Sequence, residues 1–199
     1  MSANSNAESL KSIDFNSAMP TSSDCVIPVE IPAESAIARF YELTNLADAY
    51  SVTLPAGSIT SPEQLARFIF SQQAPWITRL MKIRDVLVAG FGLKTSAQLT
   101  SHSADRQARR VGIFKIYNTT EREIILGEDD KHLDFRLSIL CSVPVGLTDE
   151  RRLVLSTVVH CHNRLGRVYI FLIAPFHRVI VQACLRRAAR AGWPMASPL

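Results

Sequence analysis

A chain of 199 residues with 47% apolar and 20% charged side chains has the length and composition of one globular domain with a real core plus a tail. Four scattered cysteines with no CxxC pair argue for reduced thiols in a cytoplasmic protein, and against a disulfide framework or a zinc site. The net charge of +4 is uneven: acids cluster at Glu121, Glu123, Glu128, Asp129, Asp130 and Asp134, while none follows Glu150, where eight arginines from Arg151 to Arg190 fall. Compensation of these two regions within the fold is the preferred reading over a basic surface for an anionic partner.

Met1–Asn6 lacks a basic start and no apolar stretch follows it, so no signal peptide is expected. Residues 1–34, rich in Ser, Asn and Pro up to about Pro32, read as a flexible tail, within which Cys25-Val26-Ile27 can dock on the body. A single domain is expected over 35–199. Ser35 is placed to cap a short helix over Ala36–Leu46, and Ala49–Leu54 reads as a first strand, ended by Pro55-Ala56-Gly57. Ser61-Pro62-Glu63-Gln64 carries the signals of a helix start, with Leu65, Phe68 and Ile69 on one face. A second helix is expected over Trp76–Val88, stopped by Gly90 and Gly92, and a loop over Lys94–Arg110.

From Val111 the apolar period changes to two. Val111–Tyr117 and Arg122–Gly127 read as strands about an Asn118-Thr119-Thr120 turn, with Glu128-Asp129-Asp130 as the next turn. His132–Val143 and Leu153–His162 read as two long strands joined by a Pro144–Glu150 turn. Asn163 is expected to cap a final helix over Arg167–Arg190, which contains Pro175 and shows Arg178, Gln182, Arg186 and Arg190 to water. The longest apolar run, Val168–Phe176, is too short to cross a bilayer and ends at His177 and Arg178, so no membrane span is expected.

The expected fold class is α+β: an antiparallel sheet wrapped around a long C-terminal helix, with two helices after the first strand. This order resembles the helix-grip plan of START-like and birch-pollen-allergen-like proteins, whose sheet and last helix often enclose a ligand cavity. Only about five strands are visible where that plan has seven. The segments Gly127–Leu137, Thr157–Arg167 and Pro175–Arg178 are similar to an uncharacterised bacterial domain family. That family occurs alone or behind NAD(P)-binding short-chain-dehydrogenase-like domains. The resemblance covers about Ser35–Arg190 and implies no particular chemistry. No GxGxxG is present and no room remains for a Rossmann portion, so no cofactor is expected.

Candidate chemistry concentrates in Glu128, Asp130, His132, Asp134 and Arg136, together with the HxH pair His160 and His162. Carboxylates in unlike environments can divide acid and base roles. The plainer reading is a solvated turn followed by an Asp134–Arg136 pair on one strand face. His160 and His162 share a face and would need a third ligand, from His132, His177, Glu128 or Asp130, to hold a metal; local hydrogen bonding is preferred, and no metal is expected. His160 and Cys161 point to opposite faces, which argues against a thiol nucleophile. The arginine stripe lacks interleaved aromatics, so nucleic acid is not an expected partner.

Three functions follow. The first is a binding module for a small apolar or amphipathic ligand, held between sheet and helix by Phe135, Leu137, Ile139, Val159, Val168, Leu172 and Phe176. The second is an enzyme with an acid/base site in the Glu128–Arg136 segment and His160 or His162. The third, implied by the fused relatives, is a partner that docks on a reductase-like protein.

Overall fold

The computed structural model describes residues 25–72, Trp76, 109–142 and 151–196. The tail to residue 24, the second helix beyond Trp76, the Lys94–Arg110 loop before Arg109 and the Pro144–Glu150 turn lie outside the described residues.

The described strands are β1 (Ile27–Val29), β2 (Leu46–Leu54), β3 (Arg110–Val111), β4 (Phe114–Thr119), β5 (Glu123–Asp129), β6 (Leu133–Cys141) and β7 (Arg151–Cys161). The described helices are α1 (Pro62–Ser71) and α2 (Arg164–Ala191). All seven strands form one antiparallel sheet in the order β1-β2-β7-β6-β5-β4-β3. The class is α+β, an open antiparallel sheet with a long C-terminal helix, as expected.

The two strands not foreseen are three and two residues long, too short to show a period. β1 lies inside the stretch read as tail: Val26 is buried and Ile27–Val29 pairs with Ser51–Ala49 of β2. The expected Val111–Tyr117 strand is split at Gly112, whose φ of +59° is open to glycine and turns the chain between β3 and β4.

Alternation assigns the faces. Tyr50, Val52 and Leu54 of β2, Ile124 and Leu126 of β5, Leu137, Ile139 and Cys141 of β6, and Leu153 and Leu155 of β7 form the inner face, under Leu65, Ala66 and Ile69 of α1 and Val181, Cys184, Leu185 and Ala188 of α2. A second inner cluster joins Leu46, Leu133, Val159 and Cys161 to Ile170 near the start of α2. By length and composition α2 is the one described helix capable of crossing a membrane, a test that core helices of soluble proteins also pass. Here its inner side packs on the sheet.

The outer face is covered as well, which corrects the expectation for Ala36–Leu46. That segment is not a helix but a strap of turns laid across the sheet. Ile37 packs on Ile125 and Val158, with Ile31 and Tyr41 beside it. The Ser35 hydroxyl donates to Glu123 instead of capping a helix, and the Ala36 N–H follows it. These tertiary contacts outweigh a modest helix propensity.

α1 begins at Pro62 as expected, with Ser61 extended before it, but no side chain caps it, although Ser61 and Gln64 have the spacing of a reciprocal capping pair. α2 begins three residues earlier than expected, and Asn163 is its cap: the side-chain oxygen accepts from the Gly166 N–H at 3.0 Å. The Asn163 amide nitrogen also lies 2.9 Å from His132 Nδ1. Asn163→Ala is expected to lower stability by about 1 kcal/mol, read as a shift in the urea midpoint at unchanged slope. An unchanged midpoint would remove the cap from the account of how α2 starts.

Candidate functional site

The register of β6 and β7 decides where the sequence candidates meet. Asp134 is opposite His160, and Arg136 is opposite Val158. Asp134, Arg136, His160 and His162 therefore gather on the outer face, away from α1 and α2. His162 Nε2 is 3.1 Å from Asp134 Oδ2, and the His160 and His162 rings meet edge to face at 5.2 Å. His160 Nδ1 lies 2.7 Å from the Leu43 carbonyl and its ring stacks on Tyr41 at 5.6 Å. Asp134 Oδ1 also accepts from the Asp130 N–H at 3.2 Å.

Arg136 is almost fully buried here. Its guanidinium pairs with Asp129 at 2.7 Å and lies 3.7 Å from the centre of the Tyr117 ring and 4.9 Å from that of Phe40. The expected Asp134–Arg136 pair is replaced by Asp134–His162 and Arg136–Asp129. Burial pushes the Tyr41 phenol up to about 12. Burial also pushes the Asp129 carboxyl up, but hydrogen bonds from Arg136 and Tyr117 outweigh it and hold the group below its ordinary range.

A depressed carboxylate stabilises the fold above its ordinary pKa of about 4, and that share is lost as pH falls through the lowered native value. Asp129→Asn is therefore expected to lower stability at neutral pH and to flatten the acid limb of the stability–pH curve, so that the two proteins converge as pH falls. Equal acid limbs in the two proteins would show that the Asp129–Arg136 pair contributes nothing.

These groups hold the strap to the sheet. Leu43 is bound through His160, Phe40 and Tyr41 lie over Arg136, and Asn45 accepts from the Cys161 N–H at 2.7 Å. The remaining candidates are elsewhere. Glu128 is on the inner face, 3.7 Å from Arg110. Asp130 and His132 stand in the β5–β6 turn, where the Asp130 N–H donates to the Leu133 carbonyl and the His132 carbonyl accepts from His162 N–H. The sequence candidates thus divide between two faces and a turn.

The inner face holds a polar group that the sequence reading missed. Asp48 of β2 is opposite Thr157 of β7, in the row shared with Leu137 and Leu126. The row above is Leu46, Val159 and Phe135; the row below is Tyr50, Leu155 and Ile139. From α2, His177 Nε2 comes within 3.5 Å of Asp48 Oδ1, and Arg178 Nε within 3.7 Å of Oδ2. The Asp48 side chain is only 10% exposed. Yet Asp48 Oδ1 and Oδ2, Thr157 Oγ1 and His177 Nε2 are all buried without a hydrogen-bond partner. Such atoms are rare, because burying one without a partner costs at least 1 kcal/mol. The missed signal is the alternation itself. Leu46, Asp48, Tyr50, Val52, Leu54 and Leu153, Leu155, Thr157, Val159, Cys161 each carry one polar residue in an apolar face.

Four of the seven expected ligand-lining residues are on this face. Phe135, Leu137, Ile139 and Val159 point inward. Val168, Leu172 and Phe176 do not: they are 54%, 54% and 51% exposed. The sheet takes the side of α2 that runs through Gly166, Ile170, His177 and Val181, and the helical period turns the other three outward.

Cys141 and Cys184 are buried, with thiols pushed up by burial to about 11, and Cys161 is raised for the same reason. Such thiols are not nucleophiles at neutral pH. Among the described residues no group of three His, Cys, Asp or Glu side chains is arranged to hold a metal.

No curated protein and no solved structure matches the chain. Residues 41–184, from the strap into the last third of α2, match the family described as Protein of unknown function (DUF2867), and the chain belongs to that family.

Proposed function

We propose that the chain is a binding module for a small amphipathic ligand, held between the inner face of the sheet and α2 with its polar end at Asp48, Thr157 and His177. The observation that carries this reading is that the buried Asp48 oxygens, Thr157 Oγ1 and His177 Nε2 make no hydrogen bond. A carboxylate buried between two apolar rows is unfavourable unless something donates to it. His177 and Arg178 stand at ion-pair range rather than in hydrogen-bonding geometry. A ligand hydroxyl or amine would supply the donor, and Phe135, Leu137, Ile139 and Val159 would line its apolar body. The likeness to the helix-grip plan supports the same place, since β2 pairs with β7 and α2 crosses the sheet at that point.

The enzyme reading gains less support. Its outer-face members, Asp134, Arg136, His160 and His162, bind one another or the strap, and so leave no convergent set of groups for a substrate.

Native mass spectrometry of protein purified from its source is expected to show an added mass that denaturation releases. Asp48→Asn should weaken its retention. Protein of unliganded mass whose Tm is also unmoved by octylamine or octanol would overturn the reading.

A further inference from the structure

The outward side of α2 presents Val168, Phe171, Leu172, Phe176 and Val179, which are 54%, 80%, 54%, 51% and 57% exposed. These positions make one continuous stripe from Val168 to Val179. Five large apolar side chains side by side are more than scattered surface hydrophobics. Most of the apolar stretch of α2 lies outside the core.

The stripe has a symmetry. About the Ile173–Ala174 bond, Val168 mirrors Val179, Phe171 mirrors Phe176 and Leu172 mirrors Pro175. Two such helices crossing antiparallel on a two-fold axis set each residue against its mirror position. Valine then meets valine, phenylalanine meets phenylalanine, and the ring of Pro175 meets Leu172. The arginines obey the same register without conflict. Arg164 falls opposite Ala183, Arg167 opposite Ile180 and Arg178 opposite Tyr169, while Arg186, Arg187 and Arg190 run past the start of the facing helix. No arginine confronts an arginine, although α2 carries six and no acid.

We propose that this stripe is the interface of a homodimer, in which α2 packs antiparallel on α2 of a second copy about an axis near Ile173 and Ala174. A lipid surface would accept any apolar stripe and has no use for a palindromic one. A single helix pair is small beside a standard protein interface, so the dimer forms reversibly with rising concentration.

Sedimentation velocity over a wide concentration range tests this. The wild type is expected to pass from monomer to dimer, Leu172→Asp to remain monomeric with an unchanged circular dichroism spectrum, and Arg187→Ala to behave as wild type. In a Cys25→Ser background, Leu172→Cys is expected to form a dimer disulfide under mild oxidation, because position 172 lies beside the axis. Three results would overturn the proposal. They are a wild type that is monomeric at every concentration, a dimer that Leu172→Asp leaves intact, and a monomer that co-sediments with phosphatidylserine vesicles through Leu172.

Discussion

Glu123→Ala is expected to lower stability by about 3 kcal/mol or more and to release the strap from the outer face of the sheet. Glu123 is 7% exposed and stands at the first position of β5. Its Oε1 accepts from the Ser35 and Ser138 hydroxyls at 2.5 Å each, and its Oε2 from the Ala36 N–H at 3.0 Å. Hydrogen bonds to a charged group contribute about 1.5–3 kcal/mol each, which is more than an exposed ion pair gives. Removing the acceptor leaves the Ala36 amide without its partner and the Ser35 and Ser138 hydroxyls with only each other, 3.3 Å apart. The loss is therefore larger than one bond. Glu123→Gln keeps the shape and one acceptor oxygen, so its effect is expected to be roughly half as large. Two readouts are needed: the denaturant midpoint, and hydrogen exchange of the Ala36 and Asn45 amides. An Ala variant within about 0.5 kcal/mol of wild type would show that the strap is held by its apolar contacts alone.

Gly166→Ala is the second large effect, and its sign separates two arguments. Gly166 is inside α2, where alanine is better than glycine by about 1 kcal/mol. Propensity alone therefore predicts a stabilised protein. Packing predicts the opposite. A Cβ at Gly166 would stand 2.3 Å from the His132 carbonyl oxygen and 3.3 Å from Cys161 Cβ. The oxygen belongs to the backbone of the β5–β6 turn, and it already accepts from the His162 N–H at 2.9 Å. Neither it nor the helix can move without breaking that bond. The clash is expected to win, with a net loss of about 3 kcal/mol, at the upper end for overpacking. Stabilisation on mutation would mean that the turn and the helix start are free to part.

These two residues also show what can be read from sequence. The long strands, the cap at Asn163 and the helix start at Pro62 are local patterns, and they were legible because period and capping chemistry are local. The meeting of Asp134 with His160 and His162 follows from the two long strands expected on either side of the Pro144–Glu150 turn, since hairpin alternation sets it. The strap was not legible. Ser35 is a good helix cap by type, and its real partner is 88 residues away. The inner-face Asp48 was missed because the first strand was begun at Ala49 and is in fact longer at its start. The outward turn of Val168, Leu172 and Phe176 follows from which side of α2 can come close to the sheet. Gly166 and its contact with His132 settle that side, and only the fold brings the two together.

The pairing of β2 with β7 has a consequence for how the chain is made. β2 leaves the ribosome early, but its long neighbour β7 is completed only at Cys161. Until then Tyr50, Val52 and Leu54 have no strand beside them except the three residues of β1. The β4–β5–β6 meander is assembled from neighbours in sequence and can form while synthesis continues. The N-terminal strands and the strap must wait, because Glu123 and β7 are what they close upon. A nascent chain stopped short of β7 therefore shows the apolar face of β2 to chaperones or to other chains. The last helix to be made covers that strand, so the protein is sealed from its C-terminus backwards.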